Sequence, residues 1–250
     1  MKAIFVVVAV ALFGFSNTAL AQLAPGKIAL LSLVGDSLEI VTYQSNTGSN
    51  IDRNIRTKVS TVNPGLDYAA LLAANAALKK VLPSVATVLL AVPAADSPFD
   101  PSKLIVDGKL SKSSGLTAML GKESITHLLL ITKHRAPARL RMVDSTIGNG
   151  YLEGLGFYID RELETQRTDT GDIGLGFVAG YAYLKMTLVN VETLQVQATE
   201  VIDESNAQSA ARNKTGVDPW GALSSTEKLS LMRALIERGV SDATTRIIRK

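Results

Sequence analysis

The 250-residue chain contains no cysteine, and this absence limits how its fold can be held together. Disulfide bonds, thiolate metal sites and thiol catalysis are excluded. Lipid attachment through a cysteine at the start of a mature chain is excluded as well. Stability must therefore come from a buried apolar core, for which the 46% of hydrophobic residues supply the material.

The N-terminus has the three parts of a secretory signal peptide. Lys2 gives a basic start, residues 3–15 form an apolar or small-residue run, and Ala19 and Ala21 form an A-x-A cleavage site. The run is shorter than the roughly 20 residues of a membrane-spanning helix, although an uncleaved anchor is the alternative. We expect cleavage after Ala21, a mature domain of residues 22–250 without a transmembrane segment, and a periplasmic or extracellular location.

The charge of this mature chain is close to balanced. Removing residues 1–21 takes away one Lys, which leaves 25 Lys plus Arg against 23 Asp plus Glu, or a formal net charge of +2. Blocks of like charge are also missing, so nucleic acid is not an expected partner.

The first half of the mature chain alternates strand and helix patterns. Apolar runs flanking Gly35 predict a β-hairpin over 27–43, and apolar spacing predicts a helix over 64–82. The runs "SVATVLLAV" and "THLLLITKH" are typical of strands buried on both faces, and "ARLRMVD" predicts a further strand. This order predicts an α/β fold, with α+β as the variant, and at least one parallel strand pair.

The second half predicts an antiparallel hairpin over 183–203 with its turn near Glu192. Ser224 to Glu227 forms an S-x-x-E capping box ahead of an apolar stripe. This pattern predicts a C-terminal amphipathic helix that ends near Gly239, with an extension to Ile248 left open. The whole is expected to be one domain with a mixed sheet and packed helices.

The motif Asp169-Thr170-Gly171 has the letters of an aspartic protease site but not its context. Such an enzyme needs the aspartate at the end of an apolar strand, whereas "ELETQRTDTGD" is polar and no second copy exists. We predict a polar turn. His127 and His134 are seven residues apart on a predicted strand and face opposite sides, so no catalytic residue and no metal site is assigned.

The segment "KHRAPARLR" is the densest basic patch. Arg139 and Arg141 would share one strand face and Arg135 another. One interpretation is an anion site for phosphate, a lipid headgroup or an acidic glycan. The other is a solvated hairpin whose charges protect a sheet edge.

Six aromatic residues and eight glycines crowd the stretch from residue 148 to residue 183. Its glycine motifs lack the spacing and the strand–turn–helix context of a dinucleotide loop, so no cofactor is expected. The stretch is interpreted either as strand packing or as an exposed recognition ridge beside a mobile flap at 159–172. Under the second interpretation the binding residues are Tyr151, Phe157, Tyr158, Phe177, Tyr181 and Tyr183, with Arg135, Arg139 and Arg141.

The order of "KIALLSLVGD", "ITHLLLITKH" and "YLKMTLVNVETLQVQATEVID" resembles that of α/β accessory domains of bacterial envelopes. These include the curli secretion-channel lipoprotein, the penicillin-binding-protein activators and the TolB N-terminal domain. The resemblance covers about half of the chain by pattern, without the lipid-bearing cysteine or the Thr-Gly turn. It implies a non-enzymatic envelope role.

We therefore expect an exported, non-catalytic binding or accessory protein of the bacterial envelope, whose partner is an envelope protein or an anionic envelope ligand. One alternative is a hydrolase that uses a carboxylate pair drawn from Asp144, Glu153 and Asp160. Another is a structural protein that self-assembles through an exposed sheet edge.

Overall fold

A computed structural model describes residues 26–35, 37–45, 52–60, 65–90, 100–112, 116–122, 124–214 and 216–250. Its strands are β1 (Lys27–Leu33), β2 (Ser37–Thr42), β3 (Ile55–Ser60), β4 (Thr87–Leu90), β5 (Ile105–Val106), β6 (Lys109–Leu110), β7 (Ile125–Lys133), β8 (Arg135–Pro137), β9 (Leu140–Arg141), β10 (Thr146–Ile147), β11 (Tyr151–Gln166), β12 (Ile173–Asn190) and β13 (Val196–Ser209). Its helices are α1 (Leu66–Val81), α2 (Pro101–Leu104), α3 (Leu116–Lys122) and α4 (Ser225–Ile248), with 3₁₀ turns at 210–212 and 219–222.

Strand β12 is the axis of a mixed sheet. On one side its first part pairs with β11 and its second part with β7, both antiparallel, so β7 and β11 lie end to end. Beyond them β1 pairs with β7 and β2 with β11, both in parallel. The outer neighbours are β4, parallel to β1, and β3, antiparallel to β2. On the other side β12 pairs along most of its length with β13. The predicted α/β class, mixed sheet and parallel pairing are confirmed.

The hairpin predicted over 27–43 is wrong. β1 and β2 run in the same direction in neighbouring parts of the sheet, and each pairs with other strands. The break between them is fixed by Asp67 of α1, whose carboxylate accepts the N–H groups of Val34 at 2.8 Å and Gly35 at 2.9 Å and the Ser32 hydroxyl. Gly35 has a positive φ of 73°, but the chain continues forward there instead of reversing.

Helices α1 and α4 cover one face of the sheet. The predicted capping box is confirmed, because the Glu227 N–H donates to the Ser224 hydroxyl and the Glu227 carboxylate accepts the Ser224 N–H. α4 does not end at Gly239 but continues to Ile248. A side chain at Gly239 would collide with Ile202 of β13, so this glycine permits close helix–sheet packing within the helix.

The opposite face is covered in two parts. Leu104, Leu110, Leu116 and Leu120 from the short elements between β4 and β7 pack on β1 and β7. Residues of the segment between β7 and β11 pack over β11 and β12. The side chains of β12 alternate between the two faces, because Val178, Ala182 and Leu184 face the helices while Phe177, Tyr181 and Tyr183 face the other way.

Most other predicted elements are present within the described residues. α1 and β7 match the predicted helix and strand, and β12 and β13 form the late hairpin. Of the strand predicted in "ARLRMVD", only Leu140–Arg141 is extended and paired. The predicted signal peptide and residue 64 lie outside the described residues. None of the described helices is long and apolar enough to cross a membrane.

Candidate functional site

Residues 134–153 leave the sheet between β7 and β11 and form a folded segment that we call the arginine loop. Within it β8 pairs with the start of β11, and β9 pairs with β10. At its base the His134 N–H donates to the Tyr183 carbonyl at 3.0 Å, and the Gly154 N–H donates to the His134 carbonyl at 3.4 Å. Gly154 has a φ of 67°, which glycine adopts without strain. The two ends of the arginine loop therefore meet at one point on β12.

The side chains of the arginine loop divide into an inner and an outer set. Ala138, Leu140 and Leu152 are buried against the sheet. Arg139 and Arg141 alternate with the inner residues and are exposed, and Arg135 is exposed on β8. The predicted common face of Arg139 and Arg141 is thus present. None of these three arginines forms an ion pair with another residue of the described ranges.

Arg135 contacts the one aromatic residue of the predicted ridge that is exposed. Its guanidinium carbon lies 4.9 Å from the centre of the Tyr151 ring, within the range of a cation–π contact. Tyr151 is 44% exposed. The arginine loop therefore presents a planar guanidinium packed against an aromatic ring, together with two further exposed arginines. Guanidinium groups of this kind can bind anions.

Tyrosine hydroxyls attach the arginine loop to the sheet. The Tyr183 hydroxyl accepts the Arg139 N–H at 2.8 Å and lies 3.2 Å from the Arg139 carbonyl, to which it can donate. The Tyr158 hydroxyl accepts the Asn149 N–H at 3.2 Å. Burial raises the pKa of both phenols, so each keeps its proton. These contacts satisfy the Arg139 and Asn149 N–H groups and hold the loop backbone against the sheet at these two points.

The six aromatic side chains do not form one exposed ridge. Five of them are at most 2% exposed, because they fill the two faces of the sheet: Phe157, Tyr158, Phe177, Tyr181 and Tyr183. Tyr158 stacks on Phe177 with ring centres 6.0 Å apart, and Tyr181 meets Tyr183 edge-to-face at 5.7 Å. The strand-packing interpretation describes these five. The mobile flap expected at 159–172 consists instead largely of the end of β11 and the turn into β12.

A glycine explains how Tyr181 fits between strands. A side chain on Gly156 of β11 would overlap the Glu39 carbonyl oxygen and crowd the Tyr181 hydroxyl. With glycine there, the Tyr181 hydroxyl crosses β11 and donates to the Glu39 carbonyl at 3.3 Å. The glycine–aromatic richness of the sequence thus has a packing cause.

A charged network fixes the far end of the arginine loop. The Asp52 carboxylate accepts the Tyr151 N–H at 3.0 Å and binds Arg56 at 2.6 Å. Arg56 also binds Glu39 at 2.8 Å and donates to the Tyr151 carbonyl. Burial opposes ionisation of Asp52, yet the hydrogen bonds from Tyr151 and Arg56 hold its pKa below the ordinary value. The Tyr151 backbone is thereby held on two sides.

The predicted polar turn at Asp169 is confirmed. Arg167 binds the Asp169 carboxylate through two nitrogens at 2.9 and 2.6 Å, and Gly171 has a φ of 77°. The Gly171 N–H donates to the Arg167 carbonyl at 2.9 Å. Asp169 is exposed in the β11–β12 turn, which lacks the dry, strand-terminal setting of an aspartic protease carboxylate.

Two of the three carboxylates of the hydrolase alternative, Glu153 and Asp160, are not brought together as a pair. Glu153 and Asp160 are seven residues apart on β11, so they point to opposite faces and lie roughly 23 Å apart along the strand. The Asp160 carboxylate accepts the N–H groups of Glu162 at 2.8 Å and Leu163 at 2.9 Å, where the pairing register shifts. Asp144 is exposed in the arginine loop. A glycosidase pair requires about 5–10 Å.

The two histidines have structural surroundings. His127 is 7% exposed, its Nδ1 lies 3.0 Å from the Thr126 hydroxyl, and burial lowers its pKa. The backbone of His134 closes the base of the arginine loop. Over the ranges that the structure describes, no group of three or more His, Asp or Glu side chains is placed to hold a metal ion.

A polar groove along β13 is not indicated by any local sequence pattern. It has a volume of about 740 Å³ and runs beside residues 204–209. Its cationic lining residues come from four separate elements, and only the first was singled out from the sequence: Arg141, Arg167, Arg212 and Arg238. No local pattern unites residues so far apart in the chain, and only the sheet topology brings them together.

Comparisons with known proteins identify no family. No family model matches the chain, and no curated protein matches it in sequence. Among solved structures, a protein described as a putative neuraminyllactose-binding hemagglutinin homologue of Helicobacter pylori is similar at a TM-score of 0.43 and 9% identity, covering 90% of this chain and 86% of that one. A Xanthomonas campestris protein of family DUF330 has a TM-score of 0.34 and 10% identity, covering 89% and 81%. A hypothetical protein of Chlamydia trachomatis has a TM-score of 0.28 and 11% sequence identity, and the match covers 89% of this chain and 99% of that one.

Proposed function

We propose that the protein is an exported, non-catalytic binding or accessory protein of the bacterial envelope, and that the arginine loop is its contact surface for an anionic ligand. Residues 1–21 are proposed to be a signal peptide, and residues 22–250 the mature domain. The proposal favours membership of the group that contains the curli secretion-channel lipoprotein, the penicillin-binding-protein activators and the TolB N-terminal domain. None of the three similar structures above is described by those names.

One observation carries the proposal. Arg135, Arg139 and Arg141 are exposed and without ion-pair partners among the described residues, on a segment whose backbone is fixed at its base, its middle and its far end. Fixed cations lose less side-chain and backbone entropy on binding an anion than mobile ones. Guanidinium groups also match the geometry of carboxylate, sulfate and phosphate oxygens.

The absence of catalysis in the proposal is supported by the same geometry. Tyr151 stacks with Arg135 at the surface rather than in a closed cleft. The only carboxylates of the hydrolase alternative within the arginine loop, Asp144 and Glu153, are both exposed. A general acid in an enzyme of this class sits in a dry, enclosed pocket, and the exposed positions of Asp144 and Glu153 do not provide one.

The ligand-binding part is tested with the mature protein and two polyanions, dextran sulfate and phosphatidylglycerol vesicles, with phosphatidylcholine vesicles as the neutral reference. The variant carries Arg135→Gln, Arg139→Gln and Arg141→Gln together. Each exposed charge contact contributes roughly 0.5–1 kcal/mol, so we expect affinity to fall about ten- to hundredfold and its salt dependence to weaken.

The matched control removes three cations elsewhere. Lys58, Lys79 and Lys80 are exposed on β3 and α1, and their replacement by Gln lowers the net charge by the same amount. This variant should bind both polyanions as the unmodified protein does. Equal losses in the two variants would show that total charge, and not the arginine loop, attracts the polyanion.

The export part is tested separately on the full-length chain expressed in a bacterium. Mass spectrometry of the protein recovered from the periplasm or the medium should find Gln22 as the first residue. Recovery of a chain that still begins with Met1 from the cytosol would contradict the proposed location and leave the binding experiment unaffected.

A further inference from the structure

Strand β3 is the outermost strand of the sheet beyond β2. All six of its residues are exposed, including the apolar side chains of Ile55 at 56% and Val59 at 42%. Within the described ranges, no other strand pairs with its outer side. An open edge of this kind exposes backbone N–H and C=O groups that a further strand can bind.

The hydrogen bonds of β2 establish which backbone groups of β3 point outwards. The Tyr43 N–H donates to the Ile159 carbonyl at 2.8 Å, so odd-numbered residues of β2 bond towards β11 and even-numbered ones towards β3. The even-numbered residues of β2 lie opposite the odd-numbered residues of β3, which therefore bond inwards. The outward groups belong to Arg56, Lys58 and Ser60, and they bond to no other backbone group of the described residues.

The two faces of β3 differ in character. Its odd-numbered residues lie on the helix side of the sheet, because Leu38, which is opposite Val59, packs there against the core. The helices nevertheless leave Ile55 and Val59 exposed. Arg56 and Lys58 alternate with them and lie on the other face. The edge therefore has an apolar side and a cationic side.

The two cations protect this edge only in part. Arg56 binds Glu39 at 2.8 Å and Asp52 at 2.6 Å, so its side chain is held over its own sheet by two carboxylates. This group has one negative charge in excess. Lys58 has no ion-pair partner among the residues that the structure describes. Charged side chains protect sheet edges, and here only Lys58 is unpaired.

Among twofold antiparallel pairings, one register fits a second copy of the chain to this edge. Outward-bonding residues must lie opposite each other, which leaves registers centred on Arg56, Thr57 or Lys58. Centring on Lys58 places two unpaired like charges opposite each other. Centring on Arg56 leaves Val59 beyond the end of the partner's β3. Centring on Thr57 pairs residues 55–59 completely and places Ile55 opposite the partner's Val59.

The register centred on Thr57 also suits the charges. It places Lys58 opposite the partner's Arg56, beside the carboxylates that bind this guanidinium. The excess negative charge of that group compensates the unpaired lysine, and by symmetry the contact occurs twice. Apolar pairs on one face and balanced charges on the other make the edge complementary to itself.

We infer that the protein forms a twofold dimer by antiparallel pairing of β3 with the β3 of a second copy, with Thr57 on the axis. The outward groups of Arg56 and Lys58 form the ladder. One strand from each copy buries less than the about 1,200–2,000 Å² of a standard interface, so we expect a reversible dimer with a dissociation constant of roughly 10–100 µM. The contact uses none of the three proposed anion-binding arginines, and the inference goes beyond the proposed function without depending on it.

The absence of cysteine from the chain permits a direct test of this register. In Thr57→Cys the two thiols face each other across a non-bonded pair, in which the Cα atoms are roughly 4.5 Å apart, a separation that a disulfide accepts. In the controls Ile55→Cys and Val59→Cys each thiol lies roughly 13 Å along the strands from its copy.

The rate of covalent dimer formation under mild oxidation is measured for the mature protein near the expected dissociation constant. Thr57→Cys should form the covalent dimer at least tenfold faster than either control. A rate for Thr57→Cys no faster than those of the controls would overturn the inference, because it would show random collision or a different register.

Sedimentation equilibrium of the mature protein measures the dimer without a cross-link. Thr57→Lys places two like charges on the axis and should raise the dissociation constant at least tenfold, whereas Thr57→Val should leave it equal or lower. Thr57 is exposed, so both variants should fold, and urea unfolding of dilute protein checks this. An unmodified protein that stays monomeric at ten times the expected dissociation constant would overturn the inference, as would equal dissociation constants for the two variants.

A last variant separates the dimer from the proposed anion binding. Arg135→Gln with Arg139→Gln and Arg141→Gln should dimerise as the unmodified protein does, although it should lose polyanion binding. Loss of the dimer in this variant would overturn the inference, because the contact would then involve the arginine loop. A failure of the unmodified protein to bind polyanions would refute the proposed function and leave the cross-linking result unaffected.

Discussion

The Tyr183 hydroxyl should control how firmly the arginine loop is held. The side chain is fully buried, and its oxygen accepts the Arg139 N–H at 2.8 Å. In Tyr183→Phe the ring packing stays, but the Arg139 N–H and carbonyl lose this partner. A buried group left unsatisfied costs about 1–3 kcal/mol, which corresponds to a roughly five- to 150-fold increase in the open population of the loop.

Limited trypsin digestion measures this population directly, because cleavage after Arg135, Arg139 or Arg141 requires the loop backbone to open. Under conditions in which closing is faster than cleavage, the cleavage rate follows the open population. We expect faster cleavage within the arginine loop in Tyr183→Phe. Urea unfolding of the same variant gives the global change in the free energy of unfolding, which should be no larger than the local one.

Tyr181→Phe is the matched control. Its hydroxyl is equally buried but donates to Glu39 on β2 over a longer 3.3 Å contact, outside the arginine loop. Cleavage within the loop should stay near the unmodified rate in this variant. The reasoning would be refuted by equal cleavage of the two variants, or by a Tyr183→Phe change that is smaller than about 0.5 kcal/mol in both measurements.

Two further outcomes follow from other parts of the sheet. Hydrogen bonds from Lys250 and Arg246 lower the pKa of Glu200, so its contribution to stability is complete above the ordinary pKa and is lost as the pH falls through the lower folded value. In urea titrations Glu200→Gln should lower the free energy of unfolding by about 1 kcal/mol at pH 7 and should not change it at acid pH, where Glu200 is protonated. A difference between variant and unmodified protein that does not depend on pH would contradict the ion pairing. Gly156→Ala should lower the free energy of unfolding by about 2 kcal/mol or more, because the added methyl group would overlap a neighbouring strand. The control is Gly121→Ala in α3, which has open space around it and should raise the free energy of unfolding by up to about 1 kcal/mol. Similar changes in the free energy of unfolding for the two variants would contradict the packing of Tyr181.

Elements whose signals are local could be predicted from the sequence. The capping box of α4 acts within four residues, and the Asp169 turn depends on contacts among residues 166–172. The hairpin of β12 and β13 joins neighbouring segments through a short turn. In each case the residues that determine the structure lie in the segment that shows the pattern.

Features that depend on distant residues could not be predicted. The hairpin at Gly35 had a plausible turn, but Asp67 of α1 and the pairing of β1 with β7 fix the chain in the other direction. The arginine loop was visible as a basic segment, yet its attachment to Tyr158 and Tyr183 required the register of β11 and β12. Tyrosines near glycines are equally consistent with a ridge and with packing, and burial alone separates the two.

The pairing of β1 and β2 with strands that come more than 90 residues later in the chain has a kinetic consequence. β1 also pairs with β4 and β2 with β3, but neither strand is paired on both sides until β7 and β11 have been synthesised. Sheets that need such distant segments close slowly, because the loop entropy is lost before the contacts form. A newly made chain of this kind stays open for longer than a helical bundle of equal size. Slow closure is compatible with the proposed export, because a translocation machinery threads a chain before it becomes compact.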